Sequence, residues 1–201
     1  MSRSIYILGK DSIPGHLAVS GGRSREIVLV ALPGTSTGVH MRLDITGPGA
    51  DVRLSALYLS SADDRIDLDI TVRHLCGGSR SRQLLKGIVG GRAKVAFNGL
   101  IYVQKDAQRT EAYQENHSIL LGDTALVETR PQLEIYADDV KCSHGATVGS
   151  LNQDELFYMR SRGIPEDEAR SLQMISFVSP ILSLIPEGEL RGAVLDALVS
   201  L

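Results

Sequence analysis

Two short segments of the sequence place a cysteine and a histidine two residues apart. They are His74-Leu75-Cys76 and Cys142-Ser143-His144. Because side chains i and i+2 of a strand point to the same face, either pair could present a thiolate and an imidazole to one metal ion. A structural zinc site needs four ligands, however, and neither spacing matches a zinc module. Taken alone, each pair is better explained as a small buried cysteine and a hydrogen-bonded surface histidine.

Other kinds of chemical site have weaker support. A cysteine nucleophile with a histidine base is conceivable for Cys142 and His144, but the sequence identifies no residue that would orient the base. The doublet Asp138-Asp139 could bind a cation, although such doublets usually lie in solvated turns. No Walker-type phosphate loop and no GxGxxG segment occurs. The sequence therefore predicts no nucleotide site of these types and a chain that is not an enzyme by itself.

Composition and charge narrow the class of protein further. The 201 residues are 43% hydrophobic and 22% charged, which is typical of a globular chain with one main core. The net charge of −3 and the lack of a basic block with interleaved aromatics argue against nucleic-acid binding. The sequence has no long apolar run and no export signal at its start, so we expect a cytoplasmic protein without a membrane partner.

The elements that would position these residues are mostly strands. Glycine and proline turn signals recur along the first half of the chain, at Gly21-Gly22, Pro33-Gly34, Gly47-Pro48-Gly49, Gly77-Gly78 and Gly90-Gly91. Between them, apolar and polar residues alternate, most clearly at Ile66, Leu68, Ile70 and Val72. An alternation with period two predicts strands that bury one face.

The spacing of the turns fits two architectures. One is a sandwich of hairpins, and the other is a parallel β-helix whose rungs stack on one another. A sandwich would favour two-residue hairpin turns, of which Asn98-Gly99 is the one strong example. No strict hexapeptide repeat occurs, which disfavours a left-handed β-helix. Periodicity alone leaves the choice between the two architectures open.

From Gly149 onward the pattern becomes helical. Asn152 is suited to cap a helix over about 153–162, since Glu155 follows three residues later, and Gly163 would end this helix. The predicted organisation is therefore a β-rich domain over residues 1–149 and a helical region over 150–201.

Three prolines set the limits of the later helices. Pro165 suits the first position of a second helix, which would reach about residue 179. Pro180 would kink or end it, and a third short helix is expected after Pro186.

Several linked segments between residues 95 and 163 resemble the SufB/SufD family of iron-sulfur cluster assembly proteins. They are the stretches 97–103, 107–114, 120–122, 131–149 and 156–163. Residues 1–94 match only in general character, as poorly patterned β-rungs. The form Cys142-Ser143-His144-Gly145 is more similar to the SufD branch than to the SufB branch of the family.

The resemblance implies a mainly β fold, namely a right-handed parallel β-helix followed by a small C-terminal helical region. It also implies a noncatalytic scaffold subunit. Such a subunit pairs with a SufB-like subunit through the β-helix cores and binds a SufC-like ABC ATPase through residues 151–201. Alone, the chain would be able to form a homodimer.

The resemblance further implies a role for the second Cys-His pair. His144 is expected to be a metal ligand for a transient iron-sulfur cluster in the complex, with Cys142 as its neighbour. The isolated chain would hold no cofactor. The alternatives are a carbohydrate-active β-helix enzyme, similar to polysaccharide lyases, and a self-associating structural protein. No role is predicted for His74 or Cys76.

Overall fold

A computed structural model describes residues 2–201, which form eleven strands and three helices. The strands are β1 (Ser2–Ile7), β2 (His16–Val19), β3 (Ser24–Ala31), β4 (Thr37–Ile45), β5 (Asp51–Ser60), β6 (Arg65–His74), β7 (Arg80–Val89), β8 (Lys94–Val103), β9 (Thr110–Leu120), β10 (Leu126–Ile135) and β11 (Val140–Gly149). The helices are α1 (Gln153–Ser161), α2 (Glu166–Leu182) and α3 (Glu189–Ser200).

Successive strands alternate between two parallel sheets. Sheet A has the order β1-β3-β5-β7-β9-β11, and sheet B has the order β10-β8-β6-β4-β2. All neighbouring strands in both sheets run parallel. The chain therefore coils through about five turns as a parallel β-solenoid. This confirms the parallel β-helix and rules out the sandwich of hairpins, while the hand of the coil stays a prediction.

The core lies between the two sheets. From sheet B, the alternating residues Ile66, Leu68, Ile70 and Val72 all point inward and are buried, as their period predicted. They pack in one cluster with inward residues of sheet A such as Leu54. Each turn therefore buries its apolar face against the facing sheet and against the turns on either side.

The turn signal at Asn98-Gly99, which the sandwich alternative would have used as a hairpin, was wrong. Both residues lie in the middle of β8, where Gly99 pairs with Ile70 on one side and Pro131 on the other. A Cβ on Gly99 would lie 2.4 Å from the Phe97 ring and 2.5 Å from the Gln114 amide nitrogen. Glycine is required there by close packing of the interior and not by a turn.

Sheet A is buried on its outer face as well, because the helices pack against it. Val28, Val30 and Leu57 point away from the solenoid interior into a second cluster with Val178 and Ile181 of α2. Strands covered on both faces have continuous apolar runs instead of alternation. This explains the uninterrupted segment Ile27–Ala31, in which every residue is fully buried.

The helix ends follow the sequence signals with two differences. Asn152 caps α1, and its side chain accepts hydrogen bonds from the backbone of Asp154 and Glu155. Pro165 is the N-cap of α2 and not its first helical residue. The helix also continues through Pro180, where Ser179 Oγ donates to the Ser176 carbonyl oxygen at 2.8 Å. A serine hydroxyl thus satisfies the acceptor that the missing proline N–H leaves free.

Within residues 2–201, none of the helices combines the length and hydropathy needed to cross a lipid bilayer.

Candidate functional site

The last turn of the solenoid consists of β10 and β11. Along the described chain, β10 pairs with β8 alone and β11 pairs with β9 alone. Each strand therefore presents one edge whose backbone groups have no neighbouring strand. Pro131 in the middle of β10 fits this position, because proline in a strand is typical of a sheet edge. We call this end of the solenoid the open end.

Inward-facing residues of this turn remain accessible. Ile135 and Val148 are 38% and 42% exposed. One turn earlier, the equivalent residues Val103 and Ser118 are 0% and 3% exposed. The difference arises because no further turn covers the open end. Apolar surface rimmed by free strand edges is characteristic of a site where another protein binds.

Cys142 and His144 lie on this uncovered turn. In β11 they pair with Ala112 and Gln114 of β9, both of which are fully buried and point inward. The two side chains therefore share the inward face of the last strand, as the i, i+2 spacing predicted. Cys142 packs partly against a small cluster that includes Ile101, whereas His144 is exposed. The structure thus places one thiol and one imidazole side by side at the open end.

Burial alters the ionisation of the thiol. Partial removal from water raises the pKa of Cys142 above its ordinary value, and a hydrogen bond with the Ala112 backbone opposes this only in part. The free thiol is therefore protonated near neutral pH. A metal that binds sulfur as thiolate must displace this proton.

The surroundings of the other Cys-His pair, His74 and Cys76, are those of residues that stabilise the fold. His74 is completely buried, with Nδ1 2.7 Å from Ser79 Oγ and Nε2 2.8 Å from Ser81 Oγ. Burial lowers the pKa of His74 to about 4, so its ring is neutral. Cys76 lies partly buried beside the core, where its Sγ donates to the Ile45 carbonyl oxygen at 3.7 Å. This pair lies inside the solenoid and is not part of the open end.

The remaining candidate from the sequence, the Asp138-Asp139 doublet, also lies outside the strand face that carries Cys142 and His144. Asp138 and Asp139 occupy the turn between β10 and β11, where the Arg109 N–H donates to the Asp139 carbonyl oxygen at 2.6 Å. Across residues 2–201, no group of three potential metal-binding side chains comes together. The Cys142 and His144 pair accordingly supplies two donor atoms.

The sequence analysis did not identify a group of buried polar residues on β9, the strand next to Cys142 and His144. The inward face of β9 carries the buried residues Thr110, Gln114, Asn116 and Ser118. Asn116 and Ser118 both bond to the buried Tyr58 hydroxyl, at 2.8 and 2.7 Å. The available signal was polar residues at period two in a strand whose inward face should be apolar.

A second exposed surface lies on the helices. Side chains of α1, α2 and β9 line a cleft of about 670 Å³. Tyr158, Met159, Leu172 and Phe177 contribute apolar walls, and Phe157 is exposed on α1. This cleft opens on the side of the molecule that carries the helices.

Comparisons with known proteins agree with this architecture. Residues 17–177 match the family described as SUF system FeS cluster assembly, SufBD core domain. Iron-sulfur cluster assembly protein SufD from Escherichia coli (strain K12) is 38% identical over 151 residues, which is 75% of this chain and 36% of that protein.

Two further relatives extend the comparison. An iron-sulfur cluster assembly SufBD family protein from Synechocystis sp. is 43% identical over 61% of this chain and 27% of its own length. The chloroplastic protein ABCI7 of Arabidopsis thaliana is 36% identical over 83% of this chain and 35% of its own length. The chain thus spans roughly a third of these relatives. The family match covers most of its residues, and the chain belongs to the SufBD core family of the SUF system for iron-sulfur cluster assembly.

Proposed function

We propose that this chain is a noncatalytic scaffold subunit of the SUF system and that its open end provides half of a site for nascent iron-sulfur clusters. The observation that supports this most is the position of Cys142 and His144, which share the inward face of the uncovered last strand. Family membership favours cluster assembly over the carbohydrate-active alternative.

The donor atoms suit the proposed cargo. Thiolate and imidazole are both established ligands of iron in iron-sulfur centres, and such irons take four ligands. Two donors from this chain leave the coordination shell incomplete. A second subunit that covers the open end would supply the remaining donors and exclude water from the site. His144 is the exposed donor and would ligate first, and Cys142 would follow once its proton is displaced.

The proposed partner at the open end is a SufB-like subunit. Free edges of β10 and β11 offer backbone donors and acceptors to strands of another chain, which is a common mode of protein recognition. The exposed apolar residues Ile135 and Val148 would be buried in the same contact. Alone, the chain could use the same edges to form a homodimer.

The proposed partner of residues 151–201 is a SufC-like ABC ATPase. The cleft between α1 and α2 and the exposed aromatic ring of Phe157 supply the apolar surface for this contact. ATP hydrolysis would then be performed by the partner, while this chain serves as a holder. The proposal thus assigns a different surface to each partner, the open end to the SufB-like subunit and the helical cleft to the SufC-like ATPase.

The scaffold role is tested by co-expressing the chain with SufB-like and SufC-like partners and assaying iron and sulfide in the purified complex. We expect the wild type to carry both, and His144→Ala to reduce both by about tenfold or more, because a ligand is lost. His117→Ala is the matched control, since His117 lies on the outward face of β9 and bonds to Thr147. If His144→Ala forms the complex with normal iron and sulfide, the ligand role is wrong.

A further inference from the structure

Two buried glutamines lie in line behind His144. Leu54, Gln83, Gln114 and His144 occupy successive strands of sheet A at one register position, and all face inward. Gln83 and Gln114 are 3% and 0% exposed. The Gln114 amide nitrogen donates to Gln83 Oε1 at 3.0 Å. The pair replaces the apolar side chains that fill this position in the earlier turn.

The two glutamines do not satisfy each other completely. Gln83 Nε2 and Gln114 Oε1 are buried and have no hydrogen-bond partner. An unpaired buried polar atom costs about 1–3 kcal/mol, so such atoms in a native fold call for an explanation. The carboxamide of Gln114 also occupies the space that a side chain at Gly99 would fill, which shows that the interior is shaped around it.

The unpaired acceptor belongs to the residue directly beside His144. Paired residues on neighbouring strands are about 4.8 Å apart, and both side chains point to the same interior. A histidine that binds metal through one ring nitrogen normally donates from its other nitrogen to an acceptor, which fixes the tautomer and the orientation of the ring. Gln114 Oε1 is a free acceptor at the correct strand position for this contact.

We infer that Gln114 is a positioning residue for His144. When a partner subunit covers the open end, Gln114 Oε1 accepts a hydrogen bond from one ring nitrogen of His144 and leaves the other nitrogen as the iron ligand. Gln83 holds the Gln114 amide nitrogen, so the carboxamide cannot turn freely. This inference rests on the proposed function, because it assumes that His144 binds iron.

The test uses the complex with SufB-like and SufC-like partners. Gln114→Met and Gln114→Leu remove the acceptor with little change in volume, and Gln114→Glu keeps an acceptor. Thr110→Val is the matched control, since it removes an equally buried, unpaired polar atom from the same inward face of β9, at a position that pairs with Val140 and not with His144. The two readouts are the iron content of the complex and, before iron is added, the imidazole ¹⁵N shifts of His144.

In wild type we expect a single His144 tautomer. In Gln114→Met and Gln114→Leu we expect a mixture of both tautomers and a roughly tenfold lower iron content. Gln114→Glu should restore the single tautomer, and Thr110→Val should leave the iron content unchanged. A mixture of tautomers in wild type would overturn the inference without any variant. Equal effects of Thr110→Val and Gln114→Leu would overturn it too, since they would indicate general loss of packing.

Failure of the inference and failure of the proposed function give different results. If His144→Ala removes iron but both apolar variants of Gln114 match wild type in iron and tautomer, only the positioning role is wrong. If His144→Ala itself leaves iron unchanged, the proposed site is wrong and the positioning role falls with it.

Discussion

At the residue scale, two similar Cys-His pairs have opposite surroundings. His74 is enclosed by two serine hydroxyls inside the solenoid, whereas His144 is exposed on the last strand. Both pairs have the same i, i+2 spacing, but His74 ends a covered strand with Cys76 in the turn that follows, whereas Cys142 and His144 both lie within the uncovered β11. A turn that is covered on both sides buries its inward residues, and a turn that is covered on one side exposes them.

The buried imidazole makes folding sensitive to pH. The pKa of His74 is about 4 in the folded chain and near its ordinary 6.5 when unfolded. Below pH 6.5 the unfolded state therefore takes up a proton that the folded state does not, and stability falls as the pH decreases from 6.5 to 4. The full effect is roughly 3 kcal/mol.

Urea unfolding at pH 7 and pH 4.5 measures this loss in wild type and in His74→Gln, which can bond to the same serines but has no ionisable ring. We expect wild type to lose more stability than the variant over this range. The carboxylates titrate in both proteins, so the difference isolates His74. Equal losses in the two proteins would show that His74 is not the group responsible.

At the element scale, the surroundings of a strand's outer face determine its pattern of apolar and polar residues. β6 has one face in the core and one in water, and its apolar residues alternate. β3 and β5 lie beneath the helices and are buried on both faces. The helices in turn keep an apolar cleft between α1 and α2 that nothing in the described chain fills.

The helical cleft gives a prediction for ATPase binding. Phe157→Ser combined with Leu172→Ser removes exposed apolar surface on α1 and α2, with a small cost to folding because Phe157 is 72% exposed and Leu172 is 43% exposed. We expect binding of a SufC-like ATPase to weaken about tenfold or more in a titration calorimetry experiment, since anchors of this kind are worth 1–2 kcal/mol or more each.

Val199→Ser is the control for this experiment, because Val199 is equally exposed but lies on α3, away from the cleft. It should leave the affinity unchanged. Unchanged affinity in the double variant would exclude the cleft as the contact surface for the ATPase.

At the scale of the whole molecule, the solenoid is a one-dimensional stack. Each turn contacts mainly its neighbours, so an end without a cap exposes a core cross-section. After β11 the chain turns into helices that pack on the outer face of sheet A and leave the open end uncovered. The fold therefore presents two exposed surfaces, the open end and the cleft on the helices.

The open end is tested with a charge on its exposed apolar surface. Ile135→Asp places a carboxylate where a SufB-like partner would bury an apolar residue, and an unpaired buried charge is costly. We expect loss of the SufB-like partner in co-purification, with an unchanged melting temperature for the free chain, because Ile135 is already partly exposed.

Leu126→Asp is the matched control for the open end, since Leu126 lies on the same strand with similar exposure but pairs with the outward-facing Lys94. It should retain the partner. Retention of the partner by both variants would place the subunit interface elsewhere.

The sequence by itself determined the local elements. Alternation at Ile66–Val72, the glycine turns and the Asn152 cap were all readable because they depend on neighbours within a few residues. Family-specific segments in residues 95–163 indicated the parallel β-helix, a choice that periodicity had left open. The sequence also singled out Cys142 and His144 as one same-face pair.

Only the tertiary structure decided which turn lacks a cover. It distinguished the buried His74 from the exposed His144, turned Asn98-Gly99 from a hairpin into a packing site, and brought Gln114 beside His144. Gln114 and His144 are about thirty positions apart along the chain, which is one turn of the coil. Burial and contact between turns depend on register across the stack, and no local pattern in the sequence carries that information.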